Sequence, residues 1–132
     1  MEEKWYLKPT DNVNRLLRVR NDLADDYIVS KFKNLLVVKH QYHVADDIMF
    51  PDPACLAFFT AFEQNHLDRL EEEGELILAA VDIKEGTLKI FIYCENPEET
   101  VYDCAAFLKD SSLYKCDFDV ILNDNGKALK DL

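Results

Sequence analysis

Apolar residues recur every three or four positions between residues 54 and 73, which predicts a long amphipathic helix. At about 100° per residue, one side of this helix collects the residues expected in the core: Cys55, Phe59, Phe62, His66 and Leu70. Asp52 is suited to cap the N-terminus, and Pro53 suits the first turn. Gly74 follows the last turn, where glycine commonly ends a helix.

A second helix is predicted after Asn96, a capping residue that Pro97 follows. Its inner stripe is Val101, Cys104, Ala105 and Leu108. Strands are predicted where β-branched and aromatic residues cluster or alternate with polar ones. These segments are residues 34–42, 76–83, 88–94 and 115–121. An aromatic segment at 5–7 and a run from Arg15 to Arg20 add an N-terminal hairpin over residues 5–20.

From residue 34 onward the predicted order is β-α-β-β-α-β, which is the order of the split βαβ arrangement. We therefore predict an α+β fold: a ferredoxin-like βαββαβ two-layer sandwich, with an antiparallel sheet, two helices on one face and an additional N-terminal β-hairpin. The whole chain, 1–132, is predicted to be a single domain with its core at 34–121. The polar tail at 123–132 is expected to be ordered only in part.

Two helices on one face would leave the other face of the sheet open. Strand alternation directs Ile77 and Ala79 toward the helices, and it places an apolar patch with a charged rim on the open face. The candidate interaction surface consists of Val37, Lys39, Leu78, Phe91, Tyr93, Asp117 and Asp119. The alternatives are that the N-terminal hairpin covers this face, that a homodimer forms through it, or that a small ligand binds there.

Charge is distributed unevenly along the chain. The 132 residues include 15 basic and 26 acidic side chains, and the formal net charge is −11. Residues 1–50 carry eight of each sign, so residues 51–132 hold the whole surplus. Such a chain repels phosphate backbones and anionic lipid, so we expect no nucleic acid and no membrane as partner. A basic protein partner is the complementary expectation, and the alternative is that the charge only maintains solubility.

No constellation of residues predicts a catalytic or metal site, so we expect no enzyme and no cofactor. The four cysteines lie among apolar neighbours without C-x-x-C spacing, as buried thiols of a cytoplasmic protein do. His40 and His43 are expected on opposite faces of a strand. His66 is expected at the edge of the core, and a hydrolase that uses it is the least favoured alternative.

The remaining acidic groups are expected to be solvated. Two aspartate pairs, Asp25-Asp26 and Asp46-Asp47, fall in predicted loops and lack the spacing of a calcium loop. The run Glu71-Glu72-Glu73 lies near a helix end and is expected to face solvent. The N-terminus lacks the features of a signal peptide, and no apolar stretch is long enough to span a membrane.

Trp5-Tyr6, the run Leu17-Arg-Val-Arg-Asn21 and the elements through Phe91-Ile-Tyr93 resemble the bacterial domain of unknown function 695 family. The resemblance covers about residues 4–121, and Ile121–Gly126 departs from the motif in which members commonly end. It implies a ferredoxin-like fold with no established activity. In outline the chain is also similar to acidic regulators of ribonuclease E, which implies a protein-binding inhibitor.

Together these observations favour an uncharacterised small acidic cytoplasmic protein that acts as a non-catalytic protein-interaction or regulatory module. The alternative is a small-ligand-sensing ferredoxin-like domain, in which a dimer holds the ligand between its subunits.

Overall fold

The computed structural model describes residues 5–20, 22, 31–42, 50–109 and 114–132. His43 and the pairs Asp25-Asp26 and Asp46-Asp47 lie outside these residues. Within the described ranges, no helix is long and apolar enough to cross a membrane.

The described residues form an α+β fold with a six-stranded sheet, in which every neighbouring pair of strands is antiparallel. The strands are β1 (Trp5–Lys8), β2 (Arg15–Arg20), β3 (Asn34–Gln41), β4 (Leu76–Lys84), β5 (Thr87–Cys94) and β6 (Cys116–Ile121). Their order across the sheet is β1-β2-β4-β5-β3-β6. The N-terminal hairpin therefore extends the sheet beyond β4 instead of folding over its open face.

The first predicted helix consists of three consecutive segments: α1 (Pro53–Phe62), a π-helical turn (Glu63–Leu67) and α2 (Asp68–Glu72). Asp52 caps it by accepting a 2.8 Å hydrogen bond from the Cys55 N–H. The Asp68 N–H donates to the carbonyl of Glu63, five residues back, which is the hydrogen bond of a π-turn. This wider turn allows two consecutive side chains, His66 and Leu67, to be buried.

Helix α3 (Pro97–Leu108) packs beside the first helix on the same face of the sheet. The Asn96 side chain caps it by accepting from the Glu99 N–H at 3.3 Å. Phe59, Phe62 and Leu70 of the first helix meet Cys104 and Leu108 of α3 in one core. This core rests on residues of β3, β4 and β5, so both helices bury their apolar sides against the sheet.

The first residues of β4 lie on the faces of the sheet opposite to those predicted. The pairing of β4 with β5 shifts by one residue between Leu78 and Ala80, which is a β-bulge. Since one extra residue reverses the alternation, Leu78 packs in the helix-side core while Ile77 and Ala79 lie on the opposite face. The prediction that Leu78 faces away from the helices was therefore wrong.

The C-terminal residues also differ from the predicted polar tail. After β6 the chain turns through Asn123 and Asn125, both at positive φ, and forms the short helix α4 (Lys127–Asp131). Ala128 and Leu129 pack on a cluster on the face opposite the helices. That cluster comprises Phe32, Leu35, Val37, Ile77, Ala79 and Tyr93, with Phe91 at its margin. Val37 and Tyr93 are 6% and 0% exposed, so they do not form an open patch.

Candidate functional site

The arginines of β2 neutralise part of the acidic surplus. Each pairs with a carboxylate from the acidic half of the chain, and the geometry is bidentate for two of them. The pairs are Arg15–Asp82 (Nε to Oδ1, 2.9 Å), Arg18–Glu63 (Nη2 to Oε2, 2.7 Å) and Arg20–Glu71 (Nη1 to Oε1, 2.8 Å). Basic residues of the first half of the chain thus lie beside acidic residues of the second half, which partly offsets the uneven distribution of charge along the sequence.

Glu71 departs from the expected solvent-facing run, although Glu72 and Glu73 are exposed. Its Oε1 accepts hydrogen bonds from the Leu78 N–H at 2.9 Å and from the guanidinium of Arg20. Burial lowers the pKa of Arg20, but hydrogen bonds to Asp22 and Glu71 outweigh it and leave that pKa above its ordinary value. Glu71 is therefore a structural ion-pair partner that ties α2 to β2 and β4.

An acidic cleft lies where α2 ends and α3 begins. Its volume is ≈ 250 Å³ and its lining includes the apolar side chains of Phe32, Leu70 and Leu76. Four carboxylates contribute to the same lining: Glu75, Glu95, Glu99 and Asp103. We call these four residues the cleft carboxylates.

Local structure explains why these acids converge. Glu95, Glu99 and Asp103 follow one another at intervals of four residues, and this spacing places them along one side of α3 and the residue before its cap. On the other wall, Gly74 adopts φ 79° after α2, and the Glu75 N–H donates to the carbonyl of Leu70 at 3.0 Å. The chain reversal at Gly74 thus turns Glu75 toward α3.

No ion pair between described residues involves a cleft carboxylate. The positive end of the α3 dipole favours acids such as Glu99 in the first turn, which stabilises this arrangement without any ligand. Lys31 lies at the margin, with its Nζ 4.0 Å from where a side chain on Gly74 would begin. The cleft therefore suits the end of a cationic chain whose aliphatic part contacts an apolar floor.

The predicted surface residues are not part of this cleft. Lys39, Asp117 and Asp119 lie at the β6 side of the sheet, and the Lys39 ammonium pairs with Asp119. Phe91 is half-buried beside the cluster under α4, where Tyr93 donates to Asp124 at 2.6 Å and accepts from the Leu129 N–H at 3.2 Å. The cleft carboxylates were not predicted from the sequence, although the four-residue spacing of Glu95, Glu99 and Asp103 indicates that these acids lie on one side of the chain there.

His66 and the cysteines are placed for packing. His66 is 8% exposed between the rings of Phe62 and Phe107, and its Nε2 has no hydrogen-bond partner in the described part of the chain. Burial, together with the charge of Arg69, lowers the pKa of His66. Burial also raises the pKa of Cys104 to about 12, which keeps this thiol protonated at neutral pH.

Among the described residues, no group of three or more His, Cys, Asp or Glu side chains is placed to hold a metal ion.

Comparison with known protein families matches residues 4–131 to the family of unknown function DUF695. The chain belongs to this family. The matched range passes the expected limit near residue 121 and includes α4, so the C-terminal segment of this DUF695 protein lies within the family match. No curated protein matches the chain. No solved structure matches it either.

Proposed function

We propose that this DUF695 protein is a non-catalytic, cytoplasmic interaction module that binds a basic protein surface at its acidic cleft. The observation that carries the proposal is the placement of four carboxylates, without ion pairs to described residues, around an apolar floor. A buried anchor side chain usually supplies much of the energy of a protein interface. A lysine or arginine side chain matches the cleft because it combines an apolar stem with a charged head.

The size of the cleft favours the binding of a protein side chain rather than of a metabolite. Small-molecule sites typically enclose about 300–1,000 Å³ and are mostly apolar. At ≈ 250 Å³, with four acids in its lining, the cleft is smaller and more polar than such a site. The net charge of −11 would add long-range attraction for a basic partner and would accelerate encounter at low salt.

We also propose that residues 34–121 form a ferredoxin-like arrangement. The strand order β4-β5-β3-β6 places β5 between β3 and β4, with the first helix and α3 packed on one face, as a split βαβ unit requires. A ferredoxin-like arrangement would strengthen the outline similarity to the acidic regulators of ribonuclease E. It would also support the idea that the protein is an inhibitor that binds another protein.

The test compares two variants of equal net charge in affinity capture from the native source, read by mass spectrometry. The cleft variant carries Glu75→Gln, Glu95→Gln and Glu99→Gln. The control variant carries Asp11→Asn, Glu85→Gln and Asp131→Asn, which removes the same charge from other exposed positions. We expect a basic partner that the wild type and the control variant retain and the cleft variant loses.

Retention by both variants would contradict the cleft as the site. Loss by both would show that only the total charge matters. If the wild type captured no partner and a metabolite raised its melting temperature, the small-ligand alternative would replace this proposal.

A further inference from the structure

The two edges of the sheet differ in how they are protected. At one edge, β1 has four residues, ends in a lysine and is followed by Pro9, and short strands with Lys and Pro discourage further pairing. At the other edge, β6 has six residues without Lys or Pro, and β3 is its only partner in the described part of the chain. Val120, Ile121 and Leu122 at its end are 45%, 44% and 66% exposed.

The two faces of β6 have different chemistry. Asp117 and Asp119 alternate on one face, where a single lysine, Lys39, lies opposite Asp117 and pairs with Asp119. One cation thus serves two carboxylates. On the other face, Phe118 borders a groove of ≈ 540 Å³ between β6 and α3, which Leu108 and Tyr114 also line. Lys109, Lys115 and Asp117 contribute to the rest of this lining. A strand beside β6 would meet acids on one face and, on the other, a groove that combines apolar side chains with these charged ones.

A second copy of the chain fits this edge poorly in the registers centred on residues 117–119. In an antiparallel pair of β6 strands with its two-fold axis at Phe118, each Asp117 would lie opposite the Asp119 of the other copy. With the axis at Asp117 or Asp119, that aspartate would oppose itself, whereas an axis at Cys116 would place Asp117 opposite Lys115. Like charges directly opposite each other destabilise a strand pair. The existing neighbour β3 instead places a lysine at this position.

We propose that β6 is a docking edge for an extended segment of another protein, in which basic residues alternate with apolar ones. The backbone of the segment would pair with the side of β6 that no described strand occupies, its basic side chains would meet Asp117 and Asp119, and its apolar side chains would enter the groove beside α3. This surface is separate from the acidic cleft, so either proposal can fail without the other.

The test uses a short, capped and labelled peptide of alternating lysine and valine, with fluorescence anisotropy on the full chain. Val120→Lys places a charge on the docking edge, and Tyr6→Lys is its match on the opposite edge, since these side chains are 45% and 46% exposed. We expect Val120→Lys to weaken binding by about tenfold and Tyr6→Lys to leave it unchanged. Circular dichroism checks that both variants fold.

Peptide controls separate strand pairing from simple charge attraction. A peptide that is N-methylated at every second residue loses the N–H groups of one side, so one of the two methylation phases should abolish binding and the other should preserve it. A peptide with the same composition in two blocks, or with glutamate in place of lysine, should bind at least about tenfold more weakly. Equal effects of the two methylation phases, or equal binding of the block peptide, would overturn the proposal.

Two further outcomes would also overturn it. Loss of peptide binding in the triple cleft variant, with retention in Val120→Lys, would assign the peptide to the acidic cleft. A dimer of the protein alone that Val120→Lys dissociates, measured by light scattering, would assign the edge to a second copy. The peptide should bind the triple cleft variant as well as the wild type.

Discussion

The two faces of the sheet are buried in different ways. On one face, helices α1, α2 and α3 cover a continuous apolar core in which many side chains share the contact. On the other face, a smaller cluster is covered by Ala128 and Leu129 from a helix of five residues. The first face depends on repeated apolar positions, whereas among the described residues outside the strands the second is packed by Phe32 and the short helix α4.

Specific polar contacts hold that segment in place. Tyr93 donates to Asp124, which also accepts from the Ala128 N–H at 3.1 Å. Asn34 accepts from the Asn123 N–H at 2.9 Å and donates to the carbonyl of Glu95 at 3.0 Å. A few hydrogen bonds therefore hold the C-terminal segment in place, whereas a large buried apolar area holds the helices on the opposite face. The loss of one contact should therefore cause more local destabilisation on this face than on the other.

The largest expected effect comes from the helix-covered face. Phe62 is fully buried there, so Phe62→Ala removes its buried contacts and leaves a cavity. We expect the free energy of unfolding to fall by about 3–5 kcal/mol, measured by urea denaturation. Phe91→Ala on the other face is the matched change. Because Phe91 is half-buried, Phe91→Ala should lower the free energy of unfolding by less than half as much as Phe62→Ala does. Equal decreases would contradict the difference between the faces.

A smaller, more local effect is expected from Tyr93→Phe. This change removes only the hydroxyl, leaving Asp124 and the Leu129 N–H without that partner, and should cost about 1–2 kcal/mol. Amide hydrogen exchange should accelerate in residues 123–132 well before global unfolding. Tyr102→Phe is the control, because that side chain is 75% exposed. This change should leave the free energy of unfolding nearly the same. Unchanged exchange in the C-terminal segment would show that packing alone holds it.

The same contrast explains how far the sequence could predict the fold. Cys55, Phe59, Phe62, His66 and Leu70 recur with helical spacing, and all five are buried as predicted. The orientation of Leu78 could not be read in this way, since the bulge after it interrupts the alternation without any glycine or proline to mark it. The contact between Tyr93 and Asp124 joins residues 31 positions apart, beyond the reach of any local pattern.

The acidic cleft was predictable only in part. The spacing of Glu95, Glu99 and Asp103 places two acids on one side of a predicted helix and a third just before its cap, so one wall could have been found. The other wall depends on how the turn at Gly74 approaches α3, which is a tertiary relation. Similarly, Glu71 could not be distinguished from its neighbours Glu72 and Glu73 until the position of Arg20 on β2 was known.

The smallest expected effect is a change in the pH dependence of stability, and it concerns a buried polar atom on the helix-covered face. Tyr93 on the opposite face has partners for its hydroxyl, whereas the Nε2 of His66 has none among the described residues. Because burial lowers the pKa of His66 in the folded protein, the unfolded chain binds a proton more readily. The neutral form is compatible with the fold above the unfolded pKa of about 6.5, and stability should decline as the pH falls below that value.

His66→Leu should therefore flatten the dependence of the free energy of unfolding on pH between about 5 and 7, above the range in which most carboxylates titrate. The informative quantity is the slope, because the substitution also changes packing against Phe62 and Phe107 at every pH. Parallel curves for the wild type and His66→Leu would mean that protonation of His66 is tolerated in the core, and the helix-covered face would then be less strictly apolar than its contacts indicate.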